Sequence, residues 1–176
     1  VSYAQKAGMI HVSDHRQIES CKAVIVGEGY YDWHDVFQAV LNFFRNNQDA
    51  LFLVPNPDSY WPNGKNGFGI GAGAKARFIA QILSEMGIMR EITYLGKPHP
   101  AIFDHAINEI KFEHKCLEIR RERVLMLGDF LKSDIRGANV SGLQSGLLLT
   151  GVTRERHLAE ITDRHEMPFH VFRTLA

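Results

Sequence analysis

Short apolar runs alternate with stretches of helical periodicity along the whole chain, and this alternation limits the architectures open to it. The runs are 22–26 (KAVIV), 50–54 (ALFLV), 92–95 (ITYL), 123–127 (RVLML) and 146–150 (GLLLT), with a last candidate at 169–172. Each reads as a buried strand. Between the first two, residues 33–46 place Val36, Phe37, Val40, Leu41 and Phe44 on one helical face. A second helix is predicted from about Ala74 to Met86, with Phe78, Ile79, Ile82 and Leu83 on one face and Gly87 at its stop. A third carries Ile102, Phe103, Ala106, Ile107 and Ile110, and Pro100 suits its first position. A short helix from Asp134 to about Val140, ended by Gly142, and a polar helix over 154–161 follow. Strands joined through helices imply an α/β fold with parallel sheet and right-handed crossovers. Residues 55–73, rich in Gly, Pro and Asn, read as a long loop, and long loops in compact domains are often functional.

Charge and composition exclude several classes. Twenty Lys and Arg balance twenty Asp and Glu, so the chain has no electrostatic footprint for nucleic acid. No apolar run approaches bilayer-spanning length, and no charged segment followed by an apolar stretch marks a signal peptide. Cys21 and Cys116 form no CxxC pair and read as reduced thiols of a cytoplasmic protein. The nine histidines include no HExxH, and a zinc site is not expected. The chain starts Val1-Ser2-Tyr3 and its first methionine is Met9, a start that fits either removal of Met or a piece of something longer.

Three segments carry chemistry. In LMLGDFLKSDIRGA (125–138) an apolar strand ends in Gly128, Asp129 follows, and Asp134 lies five residues on. Ligands of open α/β sheets collect at the carboxyl ends of strands, and paired carboxylates there suit a hard cation such as Mg²⁺. Equally, Asp129 opens a turn and Asp134 caps a short helix. In Gly96-Lys97-Pro98, also just after a strand, Lys97 is either a compact positive charge for a phosphate or a solvated turn lysine. Asn56-Pro57-Asp58, with Gly69, Gly71, Ala72, Gly73 and Ala74 ahead of a helix, offers either backbone N–H groups to an anion or a tightly packed loop.

The order and spacing of these segments resemble one family. An NPD loop, a GAGA helix start, GKPHP, a strand ending in GDxxxxDI-x-GA, and LLLTGVT look like the haloacid-dehalogenase (HAD) superfamily, class IIA, from about Lys22 to Thr153. The resemblance implies a HAD-like Rossmannoid parallel sheet, of which this chain holds the C-terminal part, plus an α/β cap domain. It divides the chain into a linker over 1–21, the cap over 22–92 and core over 93–176. Lys97 matches the lysine that steadies the nucleophile and the bound phosphate. Asp129 matches a Mg²⁺ ligand, and Asp134 matches the second acid, which completes the metal site or orients the lysine. Asn56, Pro57 and Asp58 match the cap loop that faces substrate.

One departure shapes the functional expectation. The family's nucleophile lies in an Asp-x-Asp motif after its first strand, and this sequence contains no Asp-x-Asp. No strand ending in Ser or Thr precedes the cap either. The resemblance therefore implies a Mg²⁺-dependent phosphatase of small phosphorylated metabolites, acting through an aspartyl-phosphate, of which this chain alone is inactive. The alternative is a non-catalytic module that binds a phosphorylated ligand or serves in assembly. Without the nucleophile strand, segment 123–127 is expected to present an open apolar edge. That edge would be covered by a missing N-terminal segment of the same protein or by a second copy. Tyr30, Tyr31 and Trp33 are either packing residues or, as the resemblance implies, part of a region that can mediate dimers in relatives. No nucleic-acid or membrane partner is expected.

Overall fold

The computed structural model describes residues 2–29, 31–64, 67–115 and 118–175. Tyr30 and Cys116 lie outside the described residues. The chain forms two compact units, residues 1–94 and 95–176. Among the described residues no helix is long and apolar enough to cross a membrane.

In chain order the first unit contains α1 (Ser2–Lys6), β1 (Ala23–Ile25), α2 (Trp33–Asn46), β2 (Leu51–Val54), β3 (Tyr60–Asn63), β4 (Gly67–Ile70), α3 (Ala72–Glu85) and β5 (Thr93–Tyr94). Strands β1, β2 and β5 pair in parallel with β2 central. Alternation along β2 buries Phe52 and Val54 and leaves Leu51 exposed. The buried pair packs with Phe43 and Phe44 of α2 and Ala76, Ile79 and Leu83 of α3, with the Phe44 and Phe52 rings 4.8 Å apart. The Asp32 carboxylate caps α2 by accepting from the His34 and Asp35 amides. At the other end Arg90 donates to the carbonyls of Phe44 in the last helical turn, of Asn47 at the C-cap and of Gln48 just beyond it.

Three features differ from the sequence reading. The expected loop over 55–73 contains an antiparallel hairpin, β3 with β4, in register Tyr60↔Ile70 to Asn63↔Gly67. Its glycine content hid it: Gly69 faces Trp61, where a Cβ would lie 2.3 Å from the indole, so the missing side chain makes room for the ring. The first unit extends to residue 94, beyond the expected edge at 92, because β5 completes its sheet. Within the expected linker over 1–21, residues His15–Ser20 form a 3-10 helix, and Ile18 and Cys21 pack against the core.

Lys75 of α3 is buried, 3% exposed. Its ammonium donates to the Gly27 carbonyl at 3.3 Å and lies 4.8 Å from the Tyr31 ring and 5.0 Å from the Trp33 ring. Burial pushes its pKa below the usual lysine value, and nearby Glu28 opposes that shift. A base with a depressed folded pKa binds fewer protons folded than unfolded, so its penalty is complete below the folded pKa and disappears as pH rises toward 10.5. Lys75→Met is expected to stabilise the first unit by about 1 kcal/mol at pH 7. The gain should shrink as pH approaches that range, as read by urea unfolding at several pH values. A gain that grows with pH would show that the ammonium is stabilised where it lies.

The second unit contains α4 (Pro100–Glu113), β6 (Leu125–Gly128), a π-helical turn over Leu131–Ile135, α5 (Arg136–Val140), β7 (Gln144–Leu148) and β8 (His170–Phe172). Its strands are parallel, in order β6-β7-β8. Phe103 and Ile107 of α4 pack with Ala138, Leu143 and Met126, while Leu131 and Ile135 pack with Leu147. The polar segment predicted as a helix over 154–161 is a 3-10 helix, Glu155–Glu160. Strand β6 is an edge strand, paired only with β7 among the described residues, and Leu125 and Leu127 are 44% and 38% exposed.

Candidate active site

Lys97, Asp129 and Asp134 of the second unit are linked beyond the carboxyl end of β6. Lys97 enters from the turn ahead of α4, where the His99 amide donates to the Gly96 carbonyl and Pro100 starts the helix. Its ammonium forms an ion pair with Asp134 Oδ1. Asp134 sits in the π-helical turn and is 4% exposed. Its other oxygen, Oδ2, accepts from the amides of Asp129 and Phe130, both at 3.1 Å. Asp134 therefore reaches backward from inside the helix to the strand end, rather than capping from ahead of it. Both its oxygens are engaged, by one ammonium and two amides.

Asp129 is held differently. Its Oδ2 accepts from the Val152 amide at 2.7 Å, and its carbonyl accepts from the Thr153 amide at 3.0 Å. Oδ1 has no protein partner among the described residues, and the side chain is half-buried. Among the described residues no group of three or more His, Cys, Asp or Glu side chains converges as a metal site. Asp129 Oδ1 is thus the open hard donor of the cluster. One such oxygen fits Mg²⁺, a cation that takes one or two protein carboxylates and fills the rest of its shell with water and substrate oxygens.

Glycines seat each of these side chains. A Cβ at Gly128 would lie 2.3 Å from the Asp134 Cβ, and one at Gly151 would lie 1.6 Å from Asp129 Oδ2. A Cβ at Gly137 of α5 would lie 2.6 Å from the Phe103 ring and 3.1 Å from Pro98 Cα, so that glycine lets the lysine turn approach α5. Arg136, beside Gly137, pairs with Asp163 and with Glu166 and holds the 163–166 turn. Burial, and after it Arg136, pushes His99 below the usual imidazole range, so His99 is neutral at pH 7.

Asn56, Pro57 and Asp58 belong to the first unit and follow β2. Asn56 donates to Glu28 Oε1 at 2.6 Å, and its own Oδ1 accepts from the Asp58 amide at 3.1 Å. Arg77 donates to the Pro57 carbonyl and the Ser59 hydroxyl. The amides of Gly71 and Gly73 donate to the carbonyls of Ser59 and Asp58 at 2.8 and 3.0 Å. Those two N–H groups are therefore spent on the loop itself, as the packing reading of the glycine-rich helix start expects. Of the three loop residues, only Asp58 presents an exposed side chain with no internal partner among the described residues.

Parallel strands, crossover helices and a lysine–aspartate cluster at the strand ends define a Rossmann-like α/β protein with a ligand rim. The profile of the HAD-hydrolase-like family matches residues 94–176. The ribonucleotide monophosphatase NagD of Escherichia coli K12 is 31% identical over 147 residues, 83% of this chain and 49% of NagD. The solved NagD structure superposes with a TM-score of 0.73 over 97% of this chain and 58% of that one. A Schizosaccharomyces pombe cardiolipin synthase/mitochondrial hydrolase fusion protein is 34% identical over 122 residues, 68% of this chain and 20% of the fusion. Glycerol phosphate phosphatase of Mycobacterium tuberculosis, solved in complex with magnesium, shares the fold with a TM-score of 0.74 at 23% identity, over 97% of this chain and 46% of that one. The chain belongs to the haloacid-dehalogenase-like hydrolases, class IIA. It spans from a fifth to about half the length of these curated relatives.

Sequence reasoning passed over Gly151 and Val152 as site residues, although they lie in the LLLTGVT segment that carried part of the resemblance. The available signal was a glycine directly after a strand, in the same rim position as Gly128.

Proposed function

We propose that this chain supplies the cation- and phosphate-holding part of a phosphatase acting on a small phosphorylated metabolite. The attacking aspartate would come from polypeptide outside this sequence, which has no Asp-x-Asp. The observation that carries the reading is the Lys97–Asp134–Asp129 cluster at the carboxyl rim of β6. Membership of a hydrolase family whose curated relatives here include phosphatases supports it. Asp129 would hold Mg²⁺ through Oδ1, and the ion, when bound, would offset phosphoryl charge. Lys97 would neutralise a phosphate oxygen beside the attacking carboxylate. Asp134, with both oxygens engaged, would fix the ammonium of Lys97 and the backbone of Asp129 rather than meet the cation. Asp58, exposed in the loop after β2, would select substrate. A cytoplasmic setting belongs to the same reading, through the reduced thiols.

The test compares the 176-residue chain with the same chain supplied with a strand ending in Asp-x-Asp, using p-nitrophenyl phosphate and Mg²⁺. Background rates are expected from the chain alone and turnover from the completed protein. Clear turnover by the chain alone would locate the nucleophile within this sequence and overturn the proposed division. The missing Asp-x-Asp also favours a second reading, a module that binds phosphorylated ligands without turning them over. Mg²⁺-dependent binding of inorganic phosphate, with no turnover by either protein, would select it.

A further inference from the structure

We infer that Gly151 is a positioning residue for Asp129, required because any side chain there would displace the carboxylate. The inference rests on the reading of Asp129 as a cation ligand.

Two kinds of glycine occur in the second unit. Gly142 has φ +74°, a left-handed conformation, and the nearest atom to a Cβ there would be Arg121 Cδ at 4.0 Å. It is glycine for its backbone. Gly151 lies outside the left-handed region, so its backbone accepts any L residue. The three atoms nearest to a Cβ there all belong to Asp129: Oδ2 at 1.6 Å, Cγ at 2.3 Å and Cβ at 2.5 Å.

The rest of the loop confirms where the carboxylate is being held. Val152 donates its amide to Oδ2, and Thr153 donates to the Asp129 carbonyl. Three successive residues thus engage Asp129, one by absence of bulk and two by hydrogen bonds. Thr153 is 2% exposed, so the loop is anchored beyond the contact and cannot withdraw at little cost. Carbon added at 151 should therefore move the Asp129 side chain, break its bond to Val152 and rotate Oδ1 from its open position.

The experiment uses the 176-residue chain, wild type and Gly151→Ala, with Asp129→Asn as reference. Mn²⁺ is titrated as the probe cation, and amide hydrogen exchange is followed by NMR. In Gly151→Ala, Mn²⁺ affinity should fall about 10- to 100-fold, the range for groups that orient metal ligands. Protection of the Val152 amide should be lost, while the Asp129 and Phe130 amides bound to Asp134 keep theirs. Loss of all three in a chain that stays folded would overturn a specific positioning role. Mn²⁺ affinity within twofold of wild type would overturn it too. Should Gly151→Ala not fold, the double variant Gly151→Ala/Asp129→Gly decides. Removal of the obstructing side chain should restore the stability of Asp129→Gly alone, and failure to do so overturns the inference. If the wild type binds no Mn²⁺, the cation reading of Asp129 falls and this inference falls with it; wild-type binding with an indifferent variant sinks this inference only.

Discussion

Asp134→Ala is expected to destabilise the second unit by about 3 kcal/mol, whereas Asp129→Ala costs about 1 kcal/mol or less. The difference comes from what each carboxylate holds. Asp134 is buried and accepts three hydrogen bonds, from Lys97 and from the amides of Asp129 and Phe130. Its removal leaves two part-buried N–H groups without an acceptor, and each unmet group costs about 1–3 kcal/mol. Lys97, whose side chain is 45% exposed, can turn to water, so its own loss is small. Asp129 gives up one side-chain bond, to the amide of an exposed residue. The chain offers a clean measurement, because its two tryptophans and five tyrosines all precede residue 95. Urea unfolding followed by tryptophan fluorescence reports the first unit and should not move. Far-UV circular dichroism should show the second unit's transition falling in Asp134→Ala. The reverse pattern, with Asp129→Ala the more damaging, would mean that Asp129 is the structural acid and Asp134 the one free for a ligand.

The same contrast shows what could be read in the residues and what could not. Strand–helix alternation was legible because short apolar runs are separated by stretches of helical periodicity, and α2 was predicted over the residues that form it, 33–46. Lys97 and Asp129 were legible because each stands just past a strand end, and Asp134 because it lies five residues on from Asp129 in the same segment. Their division of labour did not follow, since it depends on the π-helical turn that points Asp134 back at β6. No local propensity marks such a turn. The hairpin β3/β4 was hidden because its pairing rests on Trp61 over Gly69, a cross-strand fit that composition reads as loop. Lys75 was equally opaque. Lysine is expected at the surface, and only the fold brings Tyr31, Trp33 and the Gly27 carbonyl around its ammonium.

Gly73→Ala tests the loop after β2 with an effect opposite in sign to the usual one. Glycine to alanine within a helix ordinarily gains up to about 1 kcal/mol, because alanine has the better propensity and restricts the unfolded chain. Gly73 is the second residue of α3 and lies outside the left-handed region, so its conformation alone permits alanine. A Cβ there, however, would sit 1.8 Å from the Pro57 carbonyl oxygen and 2.9 Å from that of Asp58. These are backbone atoms, and the loop is tied further by Arg77 to Pro57 and by Asn56 to Glu28. Neither side can yield cheaply, so the substitution is expected to cost about 3 kcal/mol, the upper range for overpacking. The tryptophan-monitored urea transition of the first unit should fall accordingly. A raised midpoint would mean that the Asn56–Asp58 loop is not seated on α3. The Gly71 and Gly73 amides would then be free for an anion, and the assignment of that helix start to packing would be lost.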